Sequence, residues 1–160
     1  MRVAWLVAAL ALGSATPSQS QDVGDVAPVV SVPGLDGRPV RLVAAAGRKA
    51  MVIEFWATWC DVCDALLPRM RAAHAKYSGQ VDFYGVNVTV NESKGRVQRY
   101  VDRMNLPFRT LYDDRGVAVR AFAAPATSFV VIVDAAGRIR YTGSGAEQDV
   151  AAELARIIGS

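Results

Sequence analysis

The chain has 160 residues, 52% of them hydrophobic, and a formal net charge of +3. This length accommodates one domain with a substantial core, or one domain plus a tail. The basic residues are scattered among acidic ones and never form a long run, whereas nucleic-acid binding requires a clustered basic face. We therefore expect no nucleic-acid partner.

The first 21 residues have the pattern of an export signal. Arg2 supplies a positive charge, residues 3–12 are apolar, and small residues at 13–15 precede a polar stretch that ends at Gln21. Such a run is shorter than the roughly 17–25 residues that span a bilayer, so we expect residues 1–21 to be a cleaved signal peptide and polar leader. The alternative is an N-terminal membrane anchor. Export predicts a periplasmic or otherwise extracytoplasmic location, where disulfides persist.

Residues 22–160 are expected to form a single domain. Their hydrophobic patterns and turn signals predict the following elements in chain order: strands at 29–32, 40–42 and 50–57, a helix at 61–78, a strand at 81–88, a helix at 93–104, a strand at 109–112, a helical turn at 117–122, strands at 127–134 and 138–142, and a helix at 150–158. The order predicts an α/β fold with a mixed central sheet flanked by helices, preceded by an N-terminal β-hairpin extension.

The two cysteines of the chain, Cys60 and Cys63, are separated by only two residues. A disulfide across so short a loop removes little entropy from the unfolded chain, so it is a poor structural staple. A zinc site usually takes four ligands, and the chain has one histidine, His74, so we expect neither a metal nor a cofactor. The spacing instead favours a redox-active pair.

The position of the pair at the predicted start of a helix assigns different roles to the two thiols. Cys60 should lie near the N-cap, where unpaired N–H groups and the helix dipole stabilise a thiolate. Cys63, one turn later, should lie deeper. We therefore predict that Cys60 is the nucleophile and that Cys63 resolves the mixed disulfide.

Glu54 interrupts an otherwise apolar predicted strand six residues before Cys60. A carboxyl group among apolar side chains is costly when charged, so burial should raise its pKa and make it an acid or base that works near neutral pH. The alternative is that Glu54 points towards a polar edge of the sheet.

The stretch "FWATWCDVC" resembles the active-site segment of the thioredoxin superfamily, and the resemblance runs over most of residues 22–159. The segments "GDVAP", "LDGRPVRL" and "VDAAGRI" are similar to the TlpA/ResA-like branch of thiol-disulfide oxidoreductases. This likeness implies a thioredoxin fold and an enzyme of the protein-disulfide reductase type.

The resemblance also implies roles for individual residues. Thioredoxin carries a buried aspartate at the position of Glu54, which implies a proton relay to the deeper cysteine. Family members have a substrate-docking cis-proline, for which Pro125, together with Ala124, is the candidate and Pro107 the competitor. Trp59 is implied to line the docking surface.

Asp61 and Val62 stand between the cysteines, where the family more often has a proline just before the second one. The negative charge of Asp61 should disfavour the Cys60 thiolate and so raise its pKa, which would make the couple more reducing. The alternative is that Asp61 simply stabilises the first turn of the helix. We predict a reductant rather than a strong oxidant.

The leading hypothesis is an exported thiol-disulfide oxidoreductase that reduces disulfides of exported client proteins and is itself re-reduced by a membrane electron donor. Two alternatives remain. One is a peroxidase of the peroxiredoxin type, although Thr58 lies only two residues before Cys60. The other is a copper(I)-binding thiol module, for which Met70 is the one additional ligand near the pair.

Overall fold

A computed structural model describes residues 21–42 and 49–159. The predicted signal peptide and leader therefore lie outside the described residues, apart from Gln21. Within the described ranges, no helix is both long enough and apolar enough to cross a membrane.

The centre of the molecule is a five-stranded mixed sheet with the strand order β5-β4-β3-β6-β7. Its strands are β3 (Ala50–Trp56), β4 (Val81–Asn87), β5 (Arg109–Tyr112), β6 (Phe129–Val133) and β7 (Ile139–Ser144). β3 pairs in parallel with β4 and antiparallel with β6, and all seven of its residues are buried. A strand covered on both faces reads as a continuous apolar run, which explains its sequence.

A separate antiparallel hairpin, β1 (Val30–Pro33) and β2 (Pro39–Leu42), precedes the sheet. The turn between the two strands contains Gly37, whose φ of +80° favours glycine. The apolar side chains of the hairpin join one face of the sheet and the short helix α3 (Val117–Ala121) in a common core.

The opposite face of the sheet is covered by α1 (Asp61–Tyr77) and α4 (Val150–Ile158), which pack against each other. The helix α2 (Lys94–Met104) connects β4 to β5 and contributes Val97 and Tyr100 to a small cluster around the cysteines. We call this group the cysteine cluster; its buried members are Trp56, Ala57, Cys60, Cys63, Val97 and Tyr100.

The predicted fold class, a thioredoxin-type mixed sheet flanked by helices and preceded by a hairpin, is confirmed. The largest differences in the element bounds are two residues each: β6 begins at Phe129 rather than at residue 127, and β7 ends at Ser144 rather than at residue 142. Ser128 adopts a left-handed φ of +59°, so the chain is still turning where the apolar pattern predicted a strand.

Candidate active site

The two cysteines form a disulfide at the N-terminus of α1. Cys60 is the N-cap residue, and the Cys63 backbone N–H donates a hydrogen bond to its Sγ atom at 3.1 Å. This hydrogen bond gives a partner to one of the N–H groups that the first helical turn leaves without a carbonyl acceptor. In the reduced protein the same N–H would stabilise a Cys60 thiolate. Both residues are buried in this oxidised form, with exposed fractions of 6% for Cys60 and 4% for Cys63.

The two cysteines differ in what lies beside them. Cys63 lines a narrow crevice beneath the helix, and Glu54 lines the same crevice from the strand β3. The remaining lining side chains are largely apolar and aromatic: Trp56, Leu67, Tyr100, Leu106 and Phe108. The crevice therefore places a carboxyl group and the second cysteine in one poorly hydrated space.

Glu54 is 3% exposed, so its side chain faces the interior and not a polar edge of the sheet. Burial, and secondarily the nearby Asp64 carboxylate, raise the pKa of Glu54 to about 8. At neutral pH most molecules then carry a protonated Glu54, and a fraction of roughly a tenth carries the carboxylate that can accept a proton. Gly85 pairs with Glu54 on the neighbouring strand, and its missing side chain leaves room for the Trp56 indole.

The Tyr100 hydroxyl donates a hydrogen bond to the Asp64 carboxylate beside this crevice. The Tyr100 ring lies 5.1 Å from that of Trp56, centroid to centroid, within the cysteine cluster. Burial, followed by the hydrogen bond to Asp64, raises the pKa of the Tyr100 phenol, so Tyr100 stays protonated and remains a donor.

The turn that leads into Cys60 is anchored by Glu92, in the loop after β4. The Glu92 carboxylate accepts hydrogen bonds from the Thr58 N–H at 2.5 Å and from the Thr58 hydroxyl at 3.0 Å. The buried Asn87 adds a longer contact to Glu92 at 3.4 Å. These bonds hold Thr58, two residues before Cys60, and they occupy its hydroxyl.

The residues on the outer side of the buried disulfide form an exposed and partly apolar surface. Trp59, Val62 and Val90 are 47%, 47% and 58% exposed. The Trp59 indole N–H donates to the Val90 carbonyl at 2.7 Å, which fixes the ring at the surface. Asp61 is exposed in the first turn of α1, a position where acidic side chains are favourable to the helix.

The loop that contains Ala124 and Pro125 leads into β6, whose first residue, Phe129, pairs with Phe55 near the end of β3. Ala124 packs against the core shared by the hairpin and α3, and Pro125 is exposed; neither belongs to the cysteine cluster. No peptide bond in the described ranges is cis, so the Ala124–Pro125 bond is trans where the resemblance implies a cis-proline. The competitor Pro107 is also trans and exposed, between two crevice residues, Leu106 and Phe108.

The residues that sequence reasoning missed are Asp64, Tyr100 and Glu92. Tyr100 and Asp64 are 36 residues apart in the chain, and Thr58 and Glu92 are 34 apart. The apolar stripe predicted on the helix at 93–104 already included Tyr100, but periodicity alone indicates which face is buried and not which hydroxyl finds a carboxylate.

A thioredoxin fold that presents a Cys-x-x-Cys disulfide at a helix N-terminus defines a class, the thiol-disulfide oxidoreductases. Comparison with known proteins places the chain within it. The thiol-disulfide oxidoreductase ResA of Geobacillus thermodenitrificans is 29% identical over 138 residues, which cover 84% of this chain and 78% of the relative.

Solved structures of similar proteins support the same class. A secreted disulfide oxidoreductase of Mycobacterium tuberculosis, homologous to E. coli DsbE, is 26% identical, with a TM-score of 0.66 over 79% of this chain and 95% of that chain. StoA of Bacillus subtilis shares the fold with a TM-score of 0.67 at 18% identity, over 81% of this chain and 96% of that chain. The sequence matches the AhpC/TSA family over residues 23–142, and the chain belongs to that family. The predicted resemblance to TlpA/ResA-like thiol-disulfide oxidoreductases is thereby confirmed.

Proposed function

We propose that the protein is an exported oxidoreductase that reduces disulfides of client proteins, with Cys60 as nucleophile, Cys63 as resolving cysteine and Glu54 as proton relay. The observation that carries this proposal is the crevice shared by Cys63 and Glu54. A resolving thiol needs a base that removes its proton at the moment of attack, and a carboxyl group with a pKa of about 8 is suited to this task near neutral pH.

The reaction begins with the dithiol form of the protein. The Cys60 thiolate attacks one sulfur of the client disulfide, forms a mixed disulfide and releases the first client thiolate. Cys63 then transfers its proton to Glu54 and attacks the Cys60 sulfur, which expels the second client thiolate. The client gains two electrons, and the protein is left with the Cys60–Cys63 disulfide. Sustained turnover requires an electron donor that returns two electrons, for which we propose a membrane protein.

The reducing direction is supported by charge. Asp61 and Asp64 both lie in the first turn of α1, the helix whose N-cap is Cys60. Negative charge there opposes the stabilisation that the helix N-terminus provides, and a less stable thiolate makes the dithiol a better reductant. Val62 stands where the family more often has a proline, so the residue before Cys63 keeps its backbone N–H.

Export is supported by the apolar segment at residues 3–12 and by a relative from Mycobacterium tuberculosis that is described as secreted. N-terminal sequencing of the protein recovered from the extracytoplasmic fraction tests this part. A new N-terminus downstream of the small residues at 13–15 is expected, whereas an intact Met1 in the membrane fraction would favour the anchor.

Equilibration with glutathione buffers tests the direction of electron flow. We expect a midpoint potential below about −200 mV, and a value near −120 mV, typical of the strong oxidant DsbA, would overturn the reductase proposal. Asp61→Asn should raise the potential, since it removes negative charge near Cys60.

The same protein preparation distinguishes the alternative functions. Reduction of insulin disulfides without hydroperoxide consumption or tight copper(I) binding is expected. Two observations already weigh against the alternatives: the Thr58 hydroxyl is bound to Glu92, and Met70 is fully buried in the core between α1 and α4.

A further inference from the structure

The helix α2 brings a hydroxyl group to the solvent side of the Glu54 crevice. Tyr100 lines the crevice, is 5% exposed, and donates its hydroxyl proton to Asp64 on α1. Asp64 follows Cys63 directly in the chain, and its backbone N–H is bonded to the Cys60 carbonyl. The Tyr100–Asp64 hydrogen bond thus joins α2 to the turn of α1 that carries both cysteines.

An exposed aspartate at the start of a helix would ordinarily direct its charge into solvent. Here the Tyr100 hydroxyl supplies a fixed, partly buried donor, and the Tyr100 ring is itself held against Trp56. A carboxylate held in place by a charge-assisted hydrogen bond acts on its neighbours at a fixed distance, whereas a solvated one is screened.

We infer that Tyr100 and Asp64 are a positioning pair for Glu54: Tyr100 holds the Asp64 carboxylate beside the crevice, where its negative charge favours transfer of the Cys63 proton onto the Glu54 carboxylate. This inference rests on the proposed relay role of Glu54. Neither Tyr100 nor Asp64 transfers a proton in it; both act through Glu54.

The charged and titratable groups around the crevice come from α1 and α2. They are Asp64 on α1 and Tyr100 on α2, with the Arg103 guanidinium 5.2 Å from the centre of the Tyr100 ring. Farther along α1, the His74 ring lies 6.5 Å from that of the crevice residue Phe108, and Arg71 donates to the Met104 and Asn105 carbonyls beside Leu106. The strands that pair with β3 place Gly85 and Val130 next to Glu54, and neither is ionisable. Asp64 is the one charged group that acts directly on Glu54 among the residues of the described ranges.

The test is a carbon-13 NMR titration of the Glu54 carboxyl in the oxidised full-length protein, which needs no client and no turnover. Asp64→Asn should lower the Glu54 midpoint by about 0.5 pH unit or more, because it removes a like charge. Tyr100→Phe keeps the ring but frees Asp64 to enter solvent, so it should lower the midpoint in the same direction. The double variant should shift no further than Asp64→Asn alone.

Asp102→Asn is the matched control, since it removes an exposed acid two residues from Tyr100 that is bonded to Gln98. It should leave the midpoint unchanged. A Tyr100→Phe midpoint equal to that of wild type would overturn the inference, and so would additive shifts in the double variant. If the midpoints behave as expected but Glu54→Gln resolves mixed disulfides at the wild-type rate, the relay role fails and the positioning of Glu54 stands.

Discussion

The two sides of the disulfide are built differently. On the inner side, Cys63 meets Glu54 in a crevice closed by apolar and aromatic side chains. On the outer side, Trp59, Val62 and Val90 are each about half exposed, with Asp61 among them. Low hydration on the inner side suits proton transfer, and exposed apolar area on the outer side suits contact with a client chain. In the function we propose, the inner side handles the proton and the outer side contacts the client.

The largest expected effect is the loss of the attacking thiol. Cys60→Ser should abolish insulin reduction, because the thiol that remains, Cys63, lines the inner crevice and in our proposal does not attack a client. Cys63→Ala should instead attack once and remain bound to its client, since the resolving step is missing. Non-reducing electrophoresis with mass spectrometry checks both outcomes. Stable client adducts with Cys60→Ser rather than with Cys63→Ala would reverse the assignment of the two roles.

The inner side also predicts how stability depends on pH. The folded pKa of Glu54, about 8, lies above its ordinary value of 4.5, so between these values the native state holds a proton that the unfolded state has released. Stability should therefore fall as pH rises from about 5 to 9, and Glu54→Gln should remove that fall, a difference of roughly 2–5 kcal/mol. Urea unfolding of the oxidised protein at pH 5 and pH 9 measures it. Asp82→Asn, which removes an exposed acid from the neighbouring strand β4, should keep the wild-type pH dependence. Equal slopes in wild type and Glu54→Gln would contradict a buried, protonated Glu54.

A substitution on the outer side should have a smaller effect than those on the inner side and should change client binding alone. Trp59→Ala removes the largest exposed apolar side chain beside the disulfide, so KM for a protein client should rise about 3–10-fold while kcat changes little. Steady-state insulin reduction measures this. Pro125→Ala in the same assay tests the docking role that the resemblance implies; a larger effect there than at Trp59 would move the docking surface to that loop.

The sequence predicted most of the fold and the centre of the site. Residues 50–57 are all apolar except Glu54, a pattern typical of a strand covered on both faces. The burial of Glu54 could therefore be predicted. The Cys-x-x-Cys spacing at a helix start likewise predicted the N-cap position of Cys60.

What could not be predicted depends on backbone turns and on contacts between distant segments. Ala123 and Ser128 both adopt positive φ values, and neither residue type predicts such a conformation. The two residues flank the loop that carries Pro125. The Tyr100–Asp64 hydrogen bond arises because α2 crosses beside the start of α1, a packing detail that no local pattern contains.

The most direct test of the account is the pH dependence of one chemical step. The mixed disulfide between Cys60 and a client peptide is prepared, and the release of the peptide by Cys63 is followed in a single turnover. We predict a wild-type rate that rises with pH up to about 8, as Glu54 ionises, and a Glu54→Gln rate that is slower by roughly 10²-fold at neutral pH and lacks that inflection. Equal rates and the same pH profile in the two proteins would contradict the central claim that Glu54 is the base for Cys63.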